Sequence, residues 1–340
     1  MIKFLLQFPF SILFTIGSVI GAGILLGPGA AITTSILIMI EVAFSFDNAV
    51  INAKVLSRMS RIWQQIFLTV GILIAVVGMR LVFPIMIVAI TANLEWRKVL
   101  DLALNDPKEY AHFLEAAHIT IASFGGAFLL VLVLYFFLDH TREHVWLSKI
   151  ERPLQSLKGG LWLAPVIGAL VITVIAFASK ETETILRAGL LGVALYTVIH
   201  ALIQALGKLT GPGKTVRYVG WGAALAFLYL EILDASFSFD GVLGAFAITN
   251  IVPIIAVGLG VGALWVRSLT VYMVRNGTLD AYRYLEHGAH YAIFVLVVAL
   301  LTSIFFPIPD AITGILGLAV IAASIVASRN ANTRHGFPVK

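Results

Sequence analysis

Cysteine is absent from the 340-residue chain. Disulfides, thiolate metal ligands and CxxC redox chemistry are therefore excluded, and any bound metal must be held by oxygen or imidazole. Charge is scarce as well. Asp, Glu, Lys and Arg supply 12% of the residues, against about a quarter in an ordinary soluble domain. Long polar stretches are missing, so there is no place for a separate soluble domain. No basic run interleaved with aromatics occurs, which argues against a nucleic-acid partner. A phosphate loop, an HExxH motif, a Ser/His/Asp set and a nucleophile–base pair are also lacking, so an enzyme is not expected.

Apolar residues make up 60% of the chain, and the mean hydropathy is +0.98. The excess is spread along the whole length, which places the protein in the lipid bilayer. A span needs about 20 mostly apolar residues. Reading between Pro, Gly and charged punctuation gives ten segments, near 9–27, 31–53, 62–91, 114–138, 161–179, 185–206, 219–246, 251–274, 287–306 and 310–328. Runs this continuous, without ten-residue alternation, predict helices and not a β-barrel. The first run continues past the length of a signal-peptide core and has no small-residue cleavage site, so it reads as an uncleaved span. The fold class expected is an all-α polytopic membrane protein with about ten transmembrane helices.

With the N-terminus inside, 17 of the 23 Lys and Arg residues fall in cytoplasmic segments, five fall in outer ones, and Arg80 lies within a span. That split predicts a multi-pass protein of the inner (plasma) membrane with both termini cytoplasmic. In the outer loop from Asn93 to His112, Leu94, Trp96, Val99, Leu100 and Leu104 would line one face of a short interfacial helix. A plain loop is the other reading.

The sequence repeats itself. Glu41-Val-Ala-Phe-Ser45-Phe46-Asp47-Asn48 in the second run matches Asp234-Ala-Ser-Phe-Ser238-Phe239-Asp240-Gly241 in the seventh. Gly71 to Arg80 resembles Gly258 to Arg267, each a G-x8-R run, and Glu115-Ala-Ala-His118 resembles Glu286-His-Gly-Ala-His290. Corresponding spans lie five apart, an odd number, so the halves cross the membrane in opposite directions as an inverted 5+5 repeat. Its boundaries are 1–180 for the first repeat and 181–328 for the second, with a cytoplasmic tail at 329–340. In inverted-repeat transporters, substrate binds near the midplane between the repeats.

Ionised groups in the bilayer core cost at least about 2.5–3.5 kcal/mol each on insertion scales. Glu41, Asp47, Asp234 and Asp240, with Glu231 nearby, therefore demand compensation, and Arg80 is the one basic residue expected inside a span. A divalent cation or protonation would relieve the imbalance. On an unbroken helix Glu41, Ser45 and Asn48 share a face, as do Glu231, Asp234 and Ser238, whereas Asp47 and Asp240 point elsewhere. The helices are thus expected either to break near the Ser-Phe-Asp elements or to offer each Asp from a neighbouring face. An all-oxygen donor set suits Mg2+, Ca2+ and Mn2+. Two blander readings use the same acids, as protonated groups bonding helices together or as a proton relay.

The paired E-V-x-x-S-x-D-N and D-x-x-F-S-x-D motifs resemble the TerC family of integral membrane proteins, within the LysE-type transporter superfamily, over roughly residues 30–310. Family members are named for tellurium resistance, and several are implicated in manganese export. The resemblance implies cation efflux with Mn2+ as the first candidate, carried by Glu41, Asp47, Asn48, Asp234 and Asp240, with Ser45, Ser238 and Glu231 as further ligands. Metal ions, protons and the lipid bilayer are the partners it implies. One departure is Gly241, which stands where the first motif has Asn48. The alternative from another class is a membrane scaffold or stress-response protein whose acidic site only senses metal.

His118 and His290 are candidates for proton coupling or for interfacial hydrogen bonds. His200 reads as a packed histidine, and Phe46 and Phe239 as packing at the repeat interface. Arg267 reads as snorkelling to the membrane surface. The Gly258-x3-Gly262 spacing predicts a close helix contact.

Overall fold

The computed structural model describes residues 8–142, 144–157, 162–209, 218 and 220–334; within the helices, the side chains of 206–209, 239, 240, 310 and 334 are excepted. Fifteen helices follow one another: α1 (Pro9–Leu26), α2 (Pro28–Phe44), α3 (Phe46–Leu56), α4 (Arg61–Thr91), α5 (Trp96–Asn105), α6 (Pro107–Ala116), α7 (His118–Leu138), α8 (Ser148–Gln155), α9 (Leu163–Ala178), α10 (Thr182–Leu209), α11 (Gly220–Phe246), α12 (Val252–Arg275), α13 (Thr278–Ala281), α14 (Leu285–Ser303) and α15 (Asp310–Arg334). No strand occurs among the described residues.

Eight of these helices are long and apolar enough to cross a bilayer, and α2 with α3 makes a ninth if the bent pair is one span. The fifth expected run is α9, at 16 residues shorter than the rest. At 1.5 Å per residue it reaches about 24 Å, less than the ~30 Å of hydrocarbon. The protein is therefore a polytopic, all-helical membrane protein.

The described chain divides into two compact units, with boundaries inside α3, α11 and α12. The first comprises residues 8–49, 61–118 and 230–272. Here α1 turns into α2 at Gly27, whose φ of 93° only glycine adopts without strain, and Pro28 starts the next helix. Trp265 Nε1 donates to Thr15 Oγ1 at 2.8 Å, and the hydroxyls of Ser11 and Ser268 are 2.9 Å apart, tying α1 to α12. As the glycine spacing predicted, α12 approaches α2 closely. A Cβ at Gly258 would stand 2.6 Å from that of Leu37, and one at Gly262 would overlap the Glu41 side chain. The segment from Asn93 to His112 forms helical structure, in α5 and α6, and not a plain loop. Asp106 caps α6 by accepting from the Glu109 N–H at 3.2 Å. In α5, Val99 and Ala103 face the unit while Trp96, Leu100 and Leu104 stay exposed.

The second unit comprises residues 50–60, 119–229 and 273–334. Its centre is α7, apolar all round and buried along most of its length, as such a helix must be. Glycines let neighbours close on it: Gly192 of α10 lies against the Phe124 backbone, and Gly168 of α9 against Val131. His200 packs as expected, stacked on Tyr135 with ring centroids 4.1 Å apart and paired with Gln204 at 2.8 Å.

Candidate functional site: a buried carboxylate–arginine relay

Glu41, three residues before the end of α2, is 5% exposed. Its placement follows from the local sequence. Gly262 leaves room for it, and the chain bends by 52° just beyond it, between α2 and α3 at Ser45. Ser45 Oγ donates to Glu41 Oε1 at 3.3 Å. Of the two alternatives, the first motif breaks its helix, whereas α11 runs through the second motif without a break.

Arg80 reaches the same place from α4. Residues Ile74–Val82 of that helix are wound as a π-helix, ending just before Pro84. Proline has no N–H to donate to the preceding turn, so the regular ladder cannot continue there. Arg80 Nη1 donates to the Ala75 carbonyl at 3.0 Å, which holds the side chain along its own helix. Its Nη2 donates to Glu41 Oε1 at 2.5 Å and its Nη1 to Asp234 Oδ2 at 3.2 Å. The corresponding acids of the two motifs therefore meet at one guanidinium.

A second arginine continues the chain of charges. Arg267 on α12 forks onto Glu231, Nη1 to Oε1 and Nη2 to Oε2, both at 2.9 Å. Its Nη2 lies 3.5 Å from Asp234 Oδ2, its Nη1 donates to the Phe67 carbonyl at 3.3 Å, and its carbon stands 4.3 Å above the Phe67 ring. Arg267 is 2% exposed, so it does not snorkel. A buried bidentate partner is worth more to a guanidinium than the climb to water, and Gly71 provides the gap it enters. Sequence reasoning missed this, although the G-x8-R repeat carried the signal: if Arg80 is inside, its counterpart is too. Arg80 is accordingly not the one basic group inside a span. Glu41, Arg80, Asp234, Arg267 and Glu231 alternate in sign, three acids to two bases.

The remaining motif residues take different places. Asp47 is buried, and its Oδ1 accepts from the Asn48 N–H at 2.9 Å. Asn48 Oδ1 and Ser238 Oγ are buried with no hydrogen-bond partner. Asp240 lies on α11, but its side chain, like that of Phe239, is outside the described residues. The departure at Gly241 has a steric cause: a Cβ there would stand 3.1 Å from Glu41 Oε2. Among the described residues, no group of three or more His, Asp and Glu side chains is set to hold a metal ion. His118, half-buried, opens α7. His290 belongs to the second unit, where it stacks on Phe136 with centroids 3.4 Å apart and pairs with the Glu286 carbonyl.

A family model described as "Protein of unknown function (DUF475)" matches residues 46–335, most of the length. The chain belongs to the DUF475 family. The matched range includes Arg80, Glu231, Asp234 and Arg267 and begins five residues after Glu41. No curated protein and no solved structure matches this DUF475 chain.

Proposed function

We propose that this protein carries a divalent cation across the membrane, with Mn2+ the first candidate and Ca2+ and Mg2+ the others, as an exporter in the inner membrane with both termini cytoplasmic. The observation that carries the reading is the bridge of Arg80 between Glu41 and Asp234. Two acids related by the internal repeat share one cation inside an apolar bundle. In the described arrangement that cation is a side chain. A mobile divalent ion would take its place when Arg80 withdraws, with the charges of Glu41 and Asp234 as its main attraction. Asn48 Oδ1 and Ser238 Oγ support this, since each is a buried oxygen with a free coordination direction, one in each motif. The resemblance to the TerC family and the inverted 5+5 repeat of ten spans belong to the same proposal and rest on the motif residues. No nucleotide-binding element is present in the sequence, so uphill transport would draw on an ion or proton gradient.

The second reading is a membrane scaffold or stress-response protein. It is favoured by the same arginines, because a charge relay that is already paired also serves to lock helices together. Manganese flux into proteoliposomes separates the two. Wild-type protein should carry Mn2+, and Asp47→Asn, Asp240→Asn and Asp234→Asn should abolish the flux while still inserting. Absence of flux of any divalent ion across a pH gradient would overturn the transport reading and leave the scaffold.

A further inference from the structure

In the second unit, α8 and its flanks expose large apolar side chains beside uncompensated positive charge. Leu147, Ile150 and Leu157 are 38%, 50% and 49% exposed, and Lys149 and Arg152 are exposed among them. The one acid of this helix, Glu151, is turned away from that surface and is 2% exposed. It accepts from the Leu147 N–H at 3.0 Å, the Trp146 N–H at 3.3 Å and the Tyr291 hydroxyl at 3.2 Å, with His287 Nε2 3.3 Å away. Glu151 thus both caps the start of α8, in the manner of a capping box, and pins the helix to the first two turns of α14. What remains exposed is apolar, cationic or uncharged polar (Ser148 and Ser156), with no acid among it.

We propose that α8 is an interfacial helix that docks on anionic phospholipid. The chemistry is complementary at both levels. Ile150, Leu147 and Leu157 suit the acyl boundary, and Lys149 and Arg152 suit negatively charged headgroups. Its neighbours fix the depth: α8 lies between the end of α7 and the start of α9, both membrane-length or near it, and Trp162 at the head of α9 is 72% exposed. An exposed tryptophan at a helix end is the usual marker of the headgroup layer. The pinning by Glu151 keeps the helix pre-formed, so docking does not require ordering it. The proposal does not depend on the transport reading or on which way the chain is oriented.

The absence of cysteine makes the test direct, because Ile150→Cys introduces the chain's one thiol. The full-length variant carries a nitrobenzoxadiazole label at that position and is reconstituted in nanodiscs of phosphatidylcholine, with or without a large fraction of phosphatidylglycerol. Both leaflets then have the same composition. The expected result is blue-shifted emission and severalfold weaker quenching by aqueous iodide in the anionic nanodiscs. Adding Lys149→Gln with Arg152→Gln should remove most of that difference, and so should high salt. Both changes are at exposed positions and leave the Glu151 contacts intact. Equal quenching in the two compositions would overturn the proposal. So would equal protection in both, which would mean that protein, from this chain or a second copy, covers Ile150.

Discussion

Arg80 and Arg267 are the same residue type at corresponding repeat positions, yet their settings differ. Both touch two acids and a backbone carbonyl, but Arg267 forks onto Glu231 with two 2.9 Å bonds and meets Asp234 only at 3.5 Å, whereas Arg80 gives one bond to each of Glu41 and Asp234. Breaking a buried pair by removing one partner costs about 3–5 kcal/mol. Arg267→Gln strands Glu231 and is expected to lower stability by about that amount, read as a lower thermal unfolding midpoint in detergent. Arg80→Gln leaves Glu41 without its cation and Asp234 with only the 3.5 Å contact to Arg267. If the transport reading holds, added Mn2+ should restore much of the midpoint of Arg80→Gln and none of that of Arg267→Gln. At Gly241, an Asn matching the first motif would press on the Glu41 carboxylate. Overpacking of that kind costs about 1–3 kcal/mol, to be read as a lower midpoint for Gly241→Asn. The sequence made Glu41 and Asp234 legible through their repeat, because buried acids are too costly to recur by chance. It did not reveal that Arg267 is buried, since a long basic side chain near the end of an apolar run satisfies the snorkelling pattern equally well.

At the scale of elements, the apolar runs and the helices agree well, because continuous apolar stretches in lipid have no alternative to helix. The motif spacing leaves a bend at Ser45 as one of two alternatives, and the structure has it. The continuity of α11 through the matching motif, against the break in the first, was not legible there, since both motifs carry the same Ser-Phe-Asp residues and the difference arises from what packs beside them. The π segment of α4 had one faint signal, Pro84. For α8, the element-level prediction concerns acid. Burial pushes the Glu151 carboxyl up, but hydrogen bonds from His287, Leu147 and Trp146, with the charge of His287, outweigh it and leave the group below its ordinary 4.5. A depressed folded value means the stabilisation is present above 4.5 and is lost as pH falls through the folded value. The hydrogen-exchange protection factors over residues 145–157, taken relative to the intrinsic rate at each pH, should therefore fall on acidification below about pH 4.5. Glu151→Gln should show the lower protection already at neutral pH, with hydrogen bonds to a charged group worth about 1.5–3 kcal/mol at stake.

For the whole molecule, the surface answers a question that composition only posed. Side chains such as Phe10, Phe14, Ile20 and Ile24 on α1, and Val166, Leu170, Val174 and Phe177 on α9, are exposed in rows that water would not tolerate. They are the surface that lipid covers. Orientation was read from the distribution of Lys and Arg alone, a rule about insertion that leaves no trace in packing. It predicts that single cysteines introduced at the exposed positions Asp280 and Ile248 react with a membrane-impermeant maleimide from opposite sides of the membrane. Labelling of both from the same side would require a different number of spans between them.

The π segment also bears on how this chain tolerates change in length. Because a π-turn holds one residue more than an α-turn of the same rise, Ile74–Val82 is a stretch from which a residue can be withdrawn without breaking the helix. Deleting Val77 should let α4 rewind as an ordinary helix and insert normally, and because an α-turn covers the same arc with one residue fewer, Arg80 should keep its direction instead of turning by the ~100° that a deletion causes in a regular helix. The deleted form should be made at wild-type levels and unfold at a midpoint close to that of wild type, with Arg80 still bridging the two acids, so that the π segment holds a residue the helix can spare.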